Sequence, residues 1–151
     1  MNPTTITITM PWPPKGLSPN VNLHFRPKAI LKKAYRAIGL ARATDAMRGL
    51  EPILCTGVLP VKVTFFPPDR RHRDDDNMVG ALKSGRDGIA DALGVNDRRF
   101  RCSYTVGEPC KGGAVLVEIC PAVATQSQQC QFGDTTTPEW LTALVAHPRA
   151  E

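Results

Sequence analysis

Three consecutive carboxylates, Asp74, Asp75 and Asp76, stand between the cationic run Arg70-Arg71-His72-Arg73 and Asn77. In extended chain Asp74 and Asp76 point the same way, because side chains repeat every two residues. Two carboxylates held that close both stay ionised comfortably only with a cation between them. Hard oxygen donors of this kind suit Mg²⁺, which takes one or two carboxylates and fills its shell with water and substrate phosphate. A plainer reading competes: acids at a helix start are ordinary caps, with Asp74 or Asp75 as the N-cap. Three aspartates exceed what one cap needs, and Arg70, Arg71 and Arg73 exceed what helix formation asks for.

The elements that must hold these residues follow from periodicity. A helix is expected from about Asp76 to Leu93, where Met78, Leu82, Gly85, Ile89 and Leu93 share one face. Asp76, Gly80, Lys83, Asp87 and Asp91 fall on the opposite face. Before it, Leu59, Val61, Val63 and Phe65 alternate with polar residues as a strand over 59–66, closed by Pro67-Pro68. An earlier strand is expected over 5–10, stopped by Pro11-Trp12-Pro13-Pro14. From about Pro27 to Leu50 the pattern is helical, with Ile30, Ala34 and Ile38 as the apolar stripe and Leu31 and Tyr35 beside it. Lys28, Lys32 and Arg36 recur on another face, as a solvated surface or a ridge for phosphates. Phe100, Cys102, Tyr104 and Val106 alternate as a third strand; Gly107–Gly113 reads as a hairpin connection to a fourth, Ala114–Ile119. The expected fold is α+β, a single domain of order β-α-β-α-β-β. It has one mixed sheet of about four strands and two main helices, with strands three and four antiparallel. Residues 121–151 read as an appendage: a polar linker, then a short helix to about Ala146 with Pro138 near its first turn.

Several of these pieces, in order, resemble the RusA-type Holliday junction resolvases of bacteria and their phages. Pro11-Trp12-Pro13-Pro14 with Leu17-Ser18-Pro19-Asn20 is similar to the family's opening motif. Asp69 to Asn77 resembles its basic stretch ending in D-x-D-N. Lys83-Ser84-Gly85-Arg86-Asp87-Gly88 resembles its lysine-bearing helix, and Gly94-Val95-Asn96-Asp97 before Phe100 its acidic turn. The resemblance covers about residues 5–120, so 1–120 is expected to be the endonuclease domain. It implies that Asp74, Asp76 and Asp97 bind Mg²⁺ and that a helix lysine is essential. The best-known form places that lysine where this chain has Gly80, so the role falls to Lys83; the family's closing Asp-Asp is here Asn96-Asp97. It further implies a homodimer that cuts four-way DNA junctions by phosphodiester hydrolysis. Arg70, Arg71 and Arg73, with Lys28, Lys32 and Arg36, would position the DNA backbone.

Composition agrees with such a partner. The chain has 151 residues and net charge +5; residues 1–120 alone carry +7, and the remainder −2. A basic body suits a polyanion, whose counterions Lys and Arg release. Five unevenly spaced cysteines, with no C-x-x-C pair, argue against a disulfide framework or a structural zinc site. Free thiols, no signal peptide and no membrane-spanning run make a cytoplasmic location the expectation. Two other readings remain open: a junction- or fork-binding protein without catalysis, and an adaptor domain whose acids only cap a helix.

Overall fold

The computed structural model describes residues 5–50, 53 and 57–121. Four strands form one mixed sheet: β1 (Ile6–Pro11), β2 (Leu59–Phe66), β3 (Phe100–Val106) and β4 (Ala114–Ile119). Two long helices, α1 (Phe25–Ala46) and α2 (Asp75–Leu93), complete the α+β domain in the expected β-α-β-α-β-β order. The expected linker and helix within 121–151, together with Cys55 and Cys130, lie outside the described residues apart from Pro121. Cys102 and Cys110 are free thiols. Among the described residues no helix is long and apolar enough to cross a membrane.

Strand order is β1-β4-β2-β3. The expected β3–β4 hairpin is therefore not formed. β4 runs antiparallel between β1 and β2, while β3 pairs parallel to β2, Leu59 opposite Phe100 and Phe65 opposite Val106. The composition of each strand explains this placement. Ala114-Val-Leu-Val-Glu-Ile119 is buried on both faces apart from Glu118, as a central strand must be. β3 carries Arg101, Ser103 and Thr105 on one side and leaves Tyr104 and Val106 exposed, so it suits an edge. The segment after β3 is tied to the end of β2 instead, Gly107 N–H to Phe65 O at 2.8 Å and Cys110 N–H to Pro67 O at 2.8 Å.

Both helices cover one sheet face. Ile6, Ile8 and Met10 of β1, Val61, Val63 and Phe65 of β2, and Val115, Val117 and Ile119 of β4 meet Tyr35 of α1 and Met78, Leu82, Ile89 and Leu93 of α2. The α2 stripe is buried as its spacing predicts. The helix ends at Gly94, left-handed at φ 64, with Gly94 N–H bonded to Asp91 O and Val95 N–H to Ala90 O. Those two bonds satisfy carbonyls the helix would otherwise leave open, and only glycine adopts that backbone without strain.

The α1 stripe is displaced. Ile30 is 69% exposed and Ala34 is exposed; Tyr35, Gly39 and Ala43 are the buried positions. Close helix packing is the reason. A Cβ on Gly39 would collide with the Gly85 carbonyl, and one on Gly88 with the Arg36 carbonyl. The glycines let the two backbones touch, so the contacting face of α1 is its small-residue face. The glycines within the Lys83–Gly88 motif thus have a packing role.

Candidate functional site: a cleft at the start of α2

Two segments far apart in sequence meet at the end of the sheet where β1 and β2 finish. After Pro11 the chain turns through Trp12, Pro13 and Pro14 into a short 3-10 turn, Lys15–Leu17, anchored by buried Leu17. After Phe66 it passes through 67–74 into α2. Between them lies a cleft of about 650 Å³, with Trp12, Pro13, Pro14, Lys15 and Ser18 on one wall. Pro68, Asp69, Arg71, His72, Arg73 and Asp74 line the other, and Asn77, Met78 and Ala81 of α2 close it. The proline-tryptophan opening and the basic-acidic stretch, separate in the sequence, are the walls of one cavity.

Arg73 organises the second wall. Its Nη1 donates to the carbonyls of Asp69 at 3.2 Å and Arg71 at 3.0 Å, and its Nη2 to Asp69 Oδ1 at 2.8 Å. Its guanidinium also lies 5.6 Å from the Trp12 ring centroid, a cation–π contact. The Arg71 N–H donates to Asp69 Oδ1 at 2.9 Å. The Arg71 N–H first, then the Arg73 side chain, hold the Asp69 carboxyl below its usual range. Arg73, expected to contact phosphates, is occupied in shaping the loop and lies only partly open to solvent. Arg70 and Arg71 are exposed.

Asp74 is the N-cap residue by position, with extended backbone (φ −71, ψ 131), yet its carboxylate makes no capping hydrogen bond. Its partner is the Asn77 side chain, whose Nδ2 donates to Asp74 Oδ2 at 3.2 Å. Asp75 and Asp76 occupy the first helical turn, and all three acids are exposed. The pleated alignment expected for Asp74 and Asp76 does not apply, because the helix begins at Asp75 and Asp76 follows the helical turn. Both nonetheless stand at one helix N-terminus, where the aligned peptide dipoles favour negative charge.

Asp97 is elsewhere. It opens a 3-10 turn, Asp97–Arg99, before β3, whose first residue pairs with the first residue of β2. Asp74 ends the 67–74 segment that leaves the last residue of β2, so the two acids stand at opposite ends of the β2-α2-β3 unit, spanned by a helix about 28 Å long. The Asp97 carboxylate faces Arg86 instead, Oδ2 to Nη2 at 3.8 Å, and Arg86 Nη1 donates to the Tyr104 hydroxyl at 3.3 Å. Partial desolvation raises the Tyr104 hydroxyl above its ordinary pKa. Among the described residues, no three His, Cys, Asp or Glu side chains come together as a ready metal site.

The cationic candidates also divide. Lys83 is exposed and forms no ion pair among the described residues; it stands one helical face with Asp76, about 10 Å further along the axis. Gly80 is closed to a longer side chain, since a Cβ there would lie 2.6 Å from Pro19 Cγ. Pro19 of the opening motif therefore occupies the space a lysine at that position would need. Arg36 forms a two-bond pair with Asp91 of α2, Nε–Oδ2 2.7 Å and Nη2–Oδ1 3.0 Å, so it clamps the two helices. That removes it from the expected ridge. Lys28 is half-buried and Lys32 exposed. Residue patterning gave no sign that Trp12 would wall a cavity, or that Arg86, Tyr104 and Asp97 would meet; the proline run was legible as a strand stop and as a motif, without its place in the fold.

No protein-family model matches the chain. An uncharacterized protein of Xylella fastidiosa (strain Temecula1) is 45% identical over 94 residues, which are 62% of this chain and 61% of that protein. The chain thus spans less than two thirds of that relative's length. Among solved structures, cyanuric acid hydrolase from A. caulinodans aligns over 84% of this chain and 42% of its own, at 13% identity and TM-score 0.36. A likeness that low carries no argument about fold or activity.

Proposed function

We propose that this chain is a Mg²⁺-dependent, structure-specific DNA endonuclease that resolves four-way junctions by phosphodiester hydrolysis, acting as a homodimer. The observation that carries the reading is the cleft itself. The two motif segments that resemble the RusA-type family wall one cavity, and Asp74 stands at its edge with a carboxylate that capping leaves unused.

The donor set fits a hard cation. Asp74 and Asp76 are exposed, neither is in an ion pair among the described residues, and two carboxylates are what Mg²⁺ takes from a protein when phosphate and water supply the rest. Bound there, Mg²⁺ would polarise the scissile phosphate and lower the pKa of an attacking water. Asp97 would join this pair from the second copy of the dimer, since its own chain places it at the far end of α2. Arg71 and Lys15 hold backbone phosphate at the rim of the cleft. Lys83 supplies a point charge for the negative charge that develops on the phosphate and leaving oxygen. Arg73 acts through the loop, fixing the wall that carries Asp74.

A second reading, a junction- or fork-binding protein without catalysis, is favoured by two observations: the absence of a three-carboxylate group among the described residues, and Gly80 in place of lysine. A cleavage assay on a synthetic four-way junction, with linear duplex as control, separates them. Cutting in Mg²⁺, with binding alone in Ca²⁺, is the expected result. Salt-dependent binding without cutting would hand the function to the second reading, and no salt-dependent affinity at all would remove DNA from both.

A further inference from the structure

The chemistry of the cleft is divided in a way that metal binding does not need. Its lining joins the apolar Trp12, Pro13, Pro14 and Met78 to the cations Lys15 and Arg71. Trp12 is held in place before any ligand arrives. Its ring meets the Phe65 ring edge-on, 6.1 Å between centroids at 72°, and the Arg73 guanidinium lies 5.6 Å from its centroid. Arg73 is in turn fixed by three hydrogen bonds to its own loop. A pinned aromatic ring with a pinned guanidinium plane is a stacking surface that costs little further ordering on binding. The cavity, about 650 Å³, lies within the roughly 300–1,000 Å³ of pockets that bury a small planar ligand.

We infer that this cleft receives one unpaired deoxynucleotide drawn out of the branch point, its base against Trp12 and the Arg73 guanidinium, its phosphate facing Lys15 and Arg71. The inference rests on the endonuclease reading and names what that site recognises. A base inside an intact duplex is stacked on both faces and cannot enter. Extrusion costs least where pairing is already broken. The cleft would therefore select branched, mismatched or single-stranded DNA over perfect duplex through the ease of unstacking, with no need to read base edges. It also sets the extruded nucleotide's phosphate beside Asp74.

The test uses the full chain and a four-way junction carrying 2-aminopurine at one branch nucleotide, with Ca²⁺ replacing Mg²⁺ so that the DNA stays intact. Binding should change the 2-aminopurine fluorescence, and the same probe inside a linear duplex should stay silent. Trp12→Ala should remove the change and weaken junction binding roughly 5- to 100-fold, the range for losing one base–aromatic stack, while Trp12→Phe keeps most of both. Arg71→Ala, at an exposed position, should lower the slope of affinity against log salt by about one. A junction that is bound, or cut in Mg²⁺, while branch-point 2-aminopurine keeps its duplex signal in the wild-type protein overturns the inference and leaves the endonuclease reading standing. So does a folded Trp12→Ala protein that binds as wild type does. A wild-type protein with no affinity for the junction overturns both.

Discussion

At the N-terminal end of α2, Asp74, Asp75 and Asp76 face solvent beside a cleft, and among the described residues the only side-chain bond to Asp74 comes from Asn77. Towards the other end, Asp91 is clasped by Arg36 and Asp97 faces Arg86. The same residue type, on and around one helix, has been given two kinds of work. The distal acids fasten α2 to α1 and to the turn before β3. The proximal acids form no ion pair among the described residues, and the Arg73 side chain is committed to Asp69 and the Arg71 carbonyl instead. Under the proposed reading, the carboxylates at the Asp74 end, which form no ion pair among the described residues, would hold the metal, and Asp97 would exchange Arg86 for it.

The largest effect that would sharpen the contrast is on cleavage. Asp76→Asn or Asp74→Asn should abolish junction cutting, a loss beyond the roughly 10- to 100-fold typical of removing an outer partner of a metal. Junction affinity should stay near wild type, because a carboxylate that binds metal does not bind DNA. Full cutting by either variant would return these acids to helix capping. Asp97→Asn tests the other end. It should also stop cleavage, and dimers exchanged between Asp76→Asn and Asp97→Asn proteins should regain activity, because one site of each mixed dimer then has a complete set. No recovery on mixing would confine the site to one chain; an Asp97→Asn protein that cuts normally would leave that residue as the partner of Arg86 alone.

Lys83→Ala comes next, with an expected fall of about a hundredfold in the single-turnover rate, the scale for one lost transition-state donor, and unchanged melting. A rate within about twofold of wild type would make Lys83 a solvated surface residue. Gly80→Lys should not rescue it, because the added side chain meets Pro19 and disturbs the opening loop. The smallest effect belongs to the distal clamp. The Arg36 guanidinium holds the Asp91 carboxyl below its ordinary value. The pair therefore contributes stability above the ordinary carboxylate range and loses it as pH falls through Asp91's lowered pKa. Arg36→Ala with Asp91→Asn should flatten this part of acid unfolding in a pH series of melting curves and leave cleavage unaltered. A large loss of cutting would erase the distinction between the two ends.

How far the sequence revealed this depends on how each contact is made. The α2 face was legible because Met78, Leu82, Ile89 and Leu93 are large and apolar at helical spacing. The α1 face was not, because its contact is made by Gly39 and Ala43 while Ile30 stays outside; hydrophobic periodicity cannot register a helix docked through glycine. Strand positions were legible from alternation, but the partner of β3 was not. Alternation gives a strand's faces and says nothing of which edge it joins. At the site, the order of Asp74, Asp76, Lys83 and Asp97 along the chain was visible, while their separation was not. Nineteen helical residues carry Asp97 to the far end, and the nearness of Trp12 to Arg73 depends on two loops folding together.

The strand placed between β1 and β2 is also the last of the four to be synthesised. Ile6 finds its partner only in Ile119, and Val61 of β2 shares that same residue. A ribosome must therefore release nearly the whole domain before β1 can join the sheet, and β1 and β2 wait with open edges meanwhile. Such long-range closure makes for slow folding, and an unpaired apolar edge is a site where chains aggregate. β4 is in this sense the latch of the domain: a chain stopped before Ala114 would leave β1 without its partner and the core without Val115, Val117 and Ile119.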